Sequence, residues 1–250
     1  MTSRKLVAGN WKMHGLSSDL PEIEAIAEAS RAFPEVDVAL CLPAILIERA
    51  ARAVLGFAIG GQDVHEAEKG AHTGCVSAEM LVDAGARLTI VGHSERREAQ
   101  RETDSEVKAK AEAALSRGLG VILCVGEILE VREQGAAVAT VLSQLGGSLP
   151  DRLQPQRELA IAYEPVWAIG TGKIPTMAEI AEMHGAVRAA LIDKFAAEGA
   201  VMRILYGGSV KASNAAEIFS VRDVDGALVG GASLREADFM PIVAAAAQAS

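Results

Sequence analysis

With 250 residues, half of them hydrophobic and 23% charged, the chain has enough apolar surface for a large core and no low-complexity tract of the kind that marks a linker, so one domain over 1–250 is expected. A formal charge of -9 and an isoelectric point near 5.1 exclude the concentrated basic face that nucleic acid or an anionic membrane surface needs. Cys41, Cys75 and Cys124 are odd in number and widely spaced, which excludes a disulfide framework and a Cys-x-x-Cys metal site and fits reduced thiols in a cytoplasmic protein. The N-terminal residues lack a charged region followed by a long apolar segment, so export is not expected, and no apolar stretch is long enough to span a bilayer.

Short apolar or β-rich runs recur at Leu6–Gly9, Val36–Leu42, Phe57–Gly61, Leu88–Gly92, Val121–Val125, Leu159–Tyr163, Arg203–Tyr206 and Gly226–Val229. Helical patterns lie between them. Thr103 with Glu106, Thr176 with Glu179 and Ser233 with Glu236 have capping-box spacing, and Ile180, Met183, Val187, Leu191 and Phe195 form one apolar stripe. Strand-helix alternation implies a parallel sheet, and eight such units fit a closed (β/α)8 barrel. An open doubly wound sheet predicts a Gly-x-Gly-x-x-Gly turn after the first strand, which Gly9-Asn10-Trp11-Lys12 does not supply.

In a closed barrel, reactive groups gather just after the strands. Asn10 and Lys12 follow the first run, His93 and Glu95 the fourth, Glu164 the sixth, Ser209 the seventh, and Gly230 and Gly231 the eighth. Singly each has an ordinary reading: a turn residue, a solvated amine, a structural histidine, a helix cap. Their convergence on one mouth is what points to chemistry. Glu164 ends a buried run and is followed by Pro165 and then by Gly170 and Gly172, the pattern of a lid over 166–173 that moves on two hinges above a proton-handling carboxylate. The Gly207-Gly208-Ser209 and Gly230-Gly231 turns offer backbone N–H groups to a phosphate. His14, His65, His72 and His184 lack paired metal spacing and read as structural or surface residues, and Gly172-Lys173 lacks the rest of a P-loop.

Gly9-Asn10-Trp11-Lys12-Met13, Val91-Gly92-His93-Ser94-Glu95-Arg96-Arg97, the stretch from Tyr163 to Gly172 and Tyr206-Gly207-Gly208-Ser209-Val210 resemble the triosephosphate isomerase family in order and spacing over essentially the whole chain. The resemblance implies a TIM barrel that interconverts dihydroxyacetone phosphate and D-glyceraldehyde 3-phosphate without a metal or organic cofactor. Carried onto these positions, Glu164 is the base, neutral His93 the electrophile and proton shuttle, and Lys12 the cation facing the enediolate. Asn10 positions substrate and Glu95 supports Lys12, while Gly170, Ser209, Gly230 and Gly231 take the phosphate. It also implies a homodimer through the loop 62–76 (Gln62 to Val76), with Thr73 reaching toward the partner subunit's Asn10 and Lys12. This sequence departs from the family pattern at Cys75, which leaves an intersubunit link to Arg96 without its usual glutamate, and at His72, where a larger aromatic is common.

Three rival functions fit parts of this pattern. An isomerase of a four-carbon ketose phosphate would use the same base, electrophile and phosphate grip. A Schiff-base aldolase would want a lysine deep in the mouth, where the sixth run instead ends in Glu164. A non-enzymatic binding barrel would not need base, electrophile and cation together.

Overall fold

The computed structural model describes residues 4–153, 158–169 and 173–249. Its eight parallel strands are β1 (Lys5–Asn10), β2 (Val36–Cys41), β3 (Ala58–Gly61), β4 (Leu88–Val91), β5 (Gly120–Glu127), β6 (Leu159–Pro165), β7 (Ile204–Tyr206) and β8 (Gly226–Val229). They pair in chain order and β8 closes on β1, with Val7 opposite Ala227. Each predicted run overlies one of these strands. Three run further than expected: β1 takes in Asn10, and Gly126 pairs with Glu164 and Glu127 with Pro165, so Glu164 lies inside β6 rather than past its end.

Strand alternation sorts the side chains into two layers. Leu6, Ala8, Leu88, Ile90, Ile122, Cys124, Ala160, Ala162, Leu205 and Leu228 fill the barrel interior. Their neighbours Val7, Val91, Val121, Leu123, Leu159, Ile161, Tyr163 and Ile204 face the helices. Because both faces are covered, the strands read as continuous apolar runs. Leu6 and Ala8 point inward, so Asn10 does too, and Ala160 and Ala162 fix the same direction for Glu164. Alternation alone therefore aims two polar side chains into one mouth.

The helices pack their apolar stripes on the outer layer. In Met177–Phe195, Ile180, Met183, Val187 and Leu191 are buried, each worth roughly 2 kcal/mol of burial, and Phe195 packs at the margin of the same core. Thr103 and Thr176 form the expected capping boxes with Glu106 and Glu179. The third does not form. Ser233 lies in a 3-10 turn, Gly231–Leu234, where its hydroxyl donates to the Gly230 carbonyl at 2.7 Å, and the helix begins only at Glu236. Glu236 N–H donates instead to the Glu22 carboxylate of the first helical segment.

Candidate active site

Glu164 is 2% exposed, yet both carboxylate oxygens are satisfied. Oε2 accepts from the Ser94 N–H at 2.9 Å, and Oε1 accepts from the Ser94 hydroxyl at 3.1 Å and lies 3.0 Å from His93 Nε2. Burial opposes its charge, but His93 and the two Ser94 donors outweigh burial and hold the carboxyl below its ordinary range. His93 caps the short helix Ser94–Ala99, and its Nδ1 accepts from the Glu95 N–H at 3.2 Å. A ring nitrogen that accepts carries no proton, so a neutral imidazole keeps its hydrogen on Nε2, facing Glu164.

Lys12 reaches the same mouth by a costly route. Its backbone is left-handed, with φ of 52°, a conformation that disfavours any side chain by about 1 kcal/mol. Asn10 Oδ1 accepts from the Lys12 N–H at 3.0 Å, and Gln62 Nε2 donates to the Lys12 carbonyl at 2.9 Å and to the Cys41 carbonyl at 3.1 Å. The Lys12 ammonium lies 2.5 Å from Glu95 Oε1.

A cleft of about 320 Å³ joins Asn10, Lys12, His93 and Glu164 to Ser209, Gly230 and Gly231. The predicted constellation is therefore assembled, except that Glu95 stands behind Lys12 rather than on the cleft wall. Gly170, expected at the phosphate, and Gly172, expected as a lid hinge, lie outside the described residues. Gly208 is obligatory in its turn, because a methyl group there would strike the Tyr206 hydroxyl. The Gly231–Leu234 turn follows directly, and the leading N–H groups of such a turn have no partner within it.

Several supports have no sequence signal of their own. Ser94 and Gln62 belong to no motif, although the residue after His93 and the first residue after β3 both sit at the mouth by position. Glu127 ends β5, the same kind of place that singled out Glu164, and its buried Oε1 accepts from the Tyr163 hydroxyl at 3.0 Å and the Trp167 indole N–H at 2.9 Å. Arg132 stacks 5.3 Å from the Trp167 ring centroid and pairs with Glu179 at 2.7 Å, which fixes the stem of the 166–173 segment to the barrel. No local spacing announces such a network, because its members come from five elements.

A second groove, of about 420 Å³, backs onto the cleft and shares Asn10, Lys12 and His93 with it. Its far wall is the loop after β3, pinned at its base by the His65 N–H donating to the Val76 carbonyl at 2.8 Å, and Cys75 lies there exposed. Arg96, whose expected intersubunit glutamate is replaced by Cys75, is neutralised within its own subunit by Asp63 at 2.7 Å and Glu102 at 2.7 Å. Lys110 completes the ring, 2.8 Å from Asp63 and 2.6 Å from Glu102.

A closed parallel barrel with a buried carboxylate, an imidazole and an ammonium at one mouth defines an enzyme of the isomerase class. The chain belongs to the triosephosphate isomerase family, which residues 5–246 match. The family reaction interconverts dihydroxyacetone phosphate and D-glyceraldehyde 3-phosphate. A triosephosphate isomerase of Ruegeria sp. (strain TM1040) is 56% identical over 246 residues, covering 98% of this chain and 99% of that protein. That of Caulobacter vibrioides is 52% identical, covering 98% and 97%. The crystal structure of triosephosphate isomerase from Bartonella henselae superposes with a TM-score of 0.90 at 43% identity, covering 97% of this chain and 98% of that one.

Proposed function

We propose that Glu164 is the base of a triose phosphate isomerisation carried out by this chain. Glu164 removes a proton from the carbon beside the substrate carbonyl and returns it to the neighbouring carbon, while the Nε2–H of His93 donates to the carbonyl oxygen and moves protons between the two oxygens. Lys12 faces the negative charge that develops on the enediolate. A cation about 4 Å away at an effective dielectric near 20 is worth on the order of 4 kcal/mol. Asn10 positions the substrate, Glu95 orients Lys12, and Gly170, Ser209, Gly230 and Gly231 grip the phosphate. The observation that carries this reading is the 3.0 Å approach of His93 Nε2 to the Glu164 carboxylate, which puts acid and base on one small site.

Substrate competes for the donors that now hold Glu164. The base leaves Ser94 as the lid descends, and the water excluded at that moment strengthens the remaining electrostatic terms. Family membership favours a triose over a four-carbon ketose phosphate. Glu164→Gln tests the assignment: turnover of dihydroxyacetone phosphate drops by at least about two decades with phosphate-ligand binding retained, and near-normal turnover removes Glu164 as the base.

The reading extends to the whole chain as one cytoplasmic domain that pairs as a homodimer through the loop 62–76. Met13, Ile45, Met80 and Val82 support the dimer, since all are exposed, Met13 at 96% and Ile45 at 79%. Met13 also lines the groove that would receive the partner's loop. No helix among the described residues is long and apolar enough to cross a membrane. Sedimentation equilibrium tests the dimer, and a monomer at micromolar concentration overturns it.

A further inference from the structure

The cations on the cleft differ in how far they are compensated. Lys12 and Lys211 are the lysines on its described lining, with no arginine beside them. Lys12 is neutralised by Glu95 at 2.5 Å, and Glu164 adds a carboxylate to the same lining. Lys211 is exposed two residues after Ser209, and its ammonium makes no ion pair or hydrogen bond among the described residues.

Its backbone is tied to the same turn. The Lys211 N–H donates to Asn214 Oδ1 at 2.8 Å, and Asn214 Nδ2 donates to the Ser209 carbonyl at 3.1 Å. One carboxamide thus clasps both ends of the Ser209-Val210-Lys211 turn and roots the Lys211 side chain beside Ser209. The chain as a whole carries -9, so a dianion approaches against the overall field unless a local cation reverses it.

We propose that Lys211 is the residue that selects the dianionic phosphate group, acting on capture of the phosphorylated triose and not on proton transfer. This rests on the reading that Ser209, Gly230 and Gly231 hold the phosphate. Lys211 then supplies the uncompensated positive charge that backbone N–H groups lack. Across about 7 Å of water, one cation acting on a dianion is worth on the order of fivefold in kcat/KM, and salt screens it.

The test compares Lys211→Ala and Lys211→Glu with the parent at ionic strengths of about 10 mM and about 300 mM, which bracket strong and weak screening. At low salt, kcat/KM for D-glyceraldehyde 3-phosphate falls about fivefold in Lys211→Ala and further in Lys211→Glu, kcat moves less than about twofold, and the gap narrows at high salt. Turnover of glyceraldehyde, which has no phosphate, does not follow this order. Calorimetric titration with inorganic phosphate gives a weaker Kd in the same sequence of variants. Parent-like kcat/KM at low salt overturns the proposal, as does a salt-independent loss shared equally by glyceraldehyde. Should the parent fail to isomerise triose phosphates, the reading under Proposed function falls. The phosphate titration still decides for Lys211, because an unchanged Kd in both variants defeats it.

Discussion

Gly126 faces Glu164 across the β5–β6 ladder, and a methyl group built on Gly126 would collide with the Glu164 carbonyl oxygen. Gly207, on the other side, would place a methyl 3.0 Å from Glu164 Cγ. Glu164 is therefore seated between one position that admits no side chain and one that leaves little room for it, and the aim of the proposed base depends on them.

Gly126→Ala moves the end of β6 and with it the Glu164 carboxylate. A displacement of about 1 Å costs on the order of 100-fold in turnover. Steady-state kinetics and a melting curve measure it together, and a variant that is folded and fully active would falsify the seating of Glu164 by Gly126.

Ser94→Ala removes one of the donors that hold the Glu164 carboxyl low. With that influence gone the carboxyl becomes easier to protonate, and a base must be ionised to act. The acid limb of the kcat/KM profile moves to higher pH. A profile that stays in place, or moves to lower pH, contradicts the assignment.

His184 is wholly buried, with Nδ1 2.8 Å from the Asp223 carbonyl and the rings of Tyr163 and Tyr206 at 6.0 and 6.5 Å. Burial pushes its imidazole down to about 4, while the unfolded chain titrates near its ordinary 6.5. The folded value is the lower one, so stability is intact above about pH 6.5 and declines as pH falls toward 4, where only the unfolded state takes up the proton. Urea unfolding at pH 7 and about pH 4.5 shows the parent losing about 2 to 3 kcal/mol more than His184→Gln over that interval. Equal losses refute the linkage.

Lys12→Gly relieves the left-handed backbone while deleting the ammonium. The exposed pair with Glu95 contributes little, and glycine adopts that backbone freely. The variant's unfolding free energy stays within about 1 kcal/mol of the parent or exceeds it, while turnover falls by two decades or more on the order expected for a lost transition-state cation. Matching declines in both quantities would assign Lys12 a structural role instead.

Much of this site was visible in the linear sequence because the barrel rule turns strand order into geometry. Asn10, Lys12, His93, Glu164, Ser209 and Gly230 each follow or end an apolar run, and such runs need only local residues to be recognised. Glu127 obeys the same rule, but no lid-like segment follows it to mark it out. The Asp63, Arg96, Glu102 and Lys110 ring joins residues up to 47 positions apart, a pairing fixed by tertiary packing. The strained φ at Lys12 has no signature in composition, and the failed Ser233 cap was misled by a spacing that the 3-10 turn satisfies in another way.

Asn10, Lys12 and His93 form a thin partition between the substrate cleft and the neighbouring groove. A rigid small molecule that displaced the partner's loop from the groove would press on all three side chains from behind without entering the cleft. Such an agent would inhibit noncompetitively, and its efficacy would be set by how firmly Gln62 and Glu95 brace that partition.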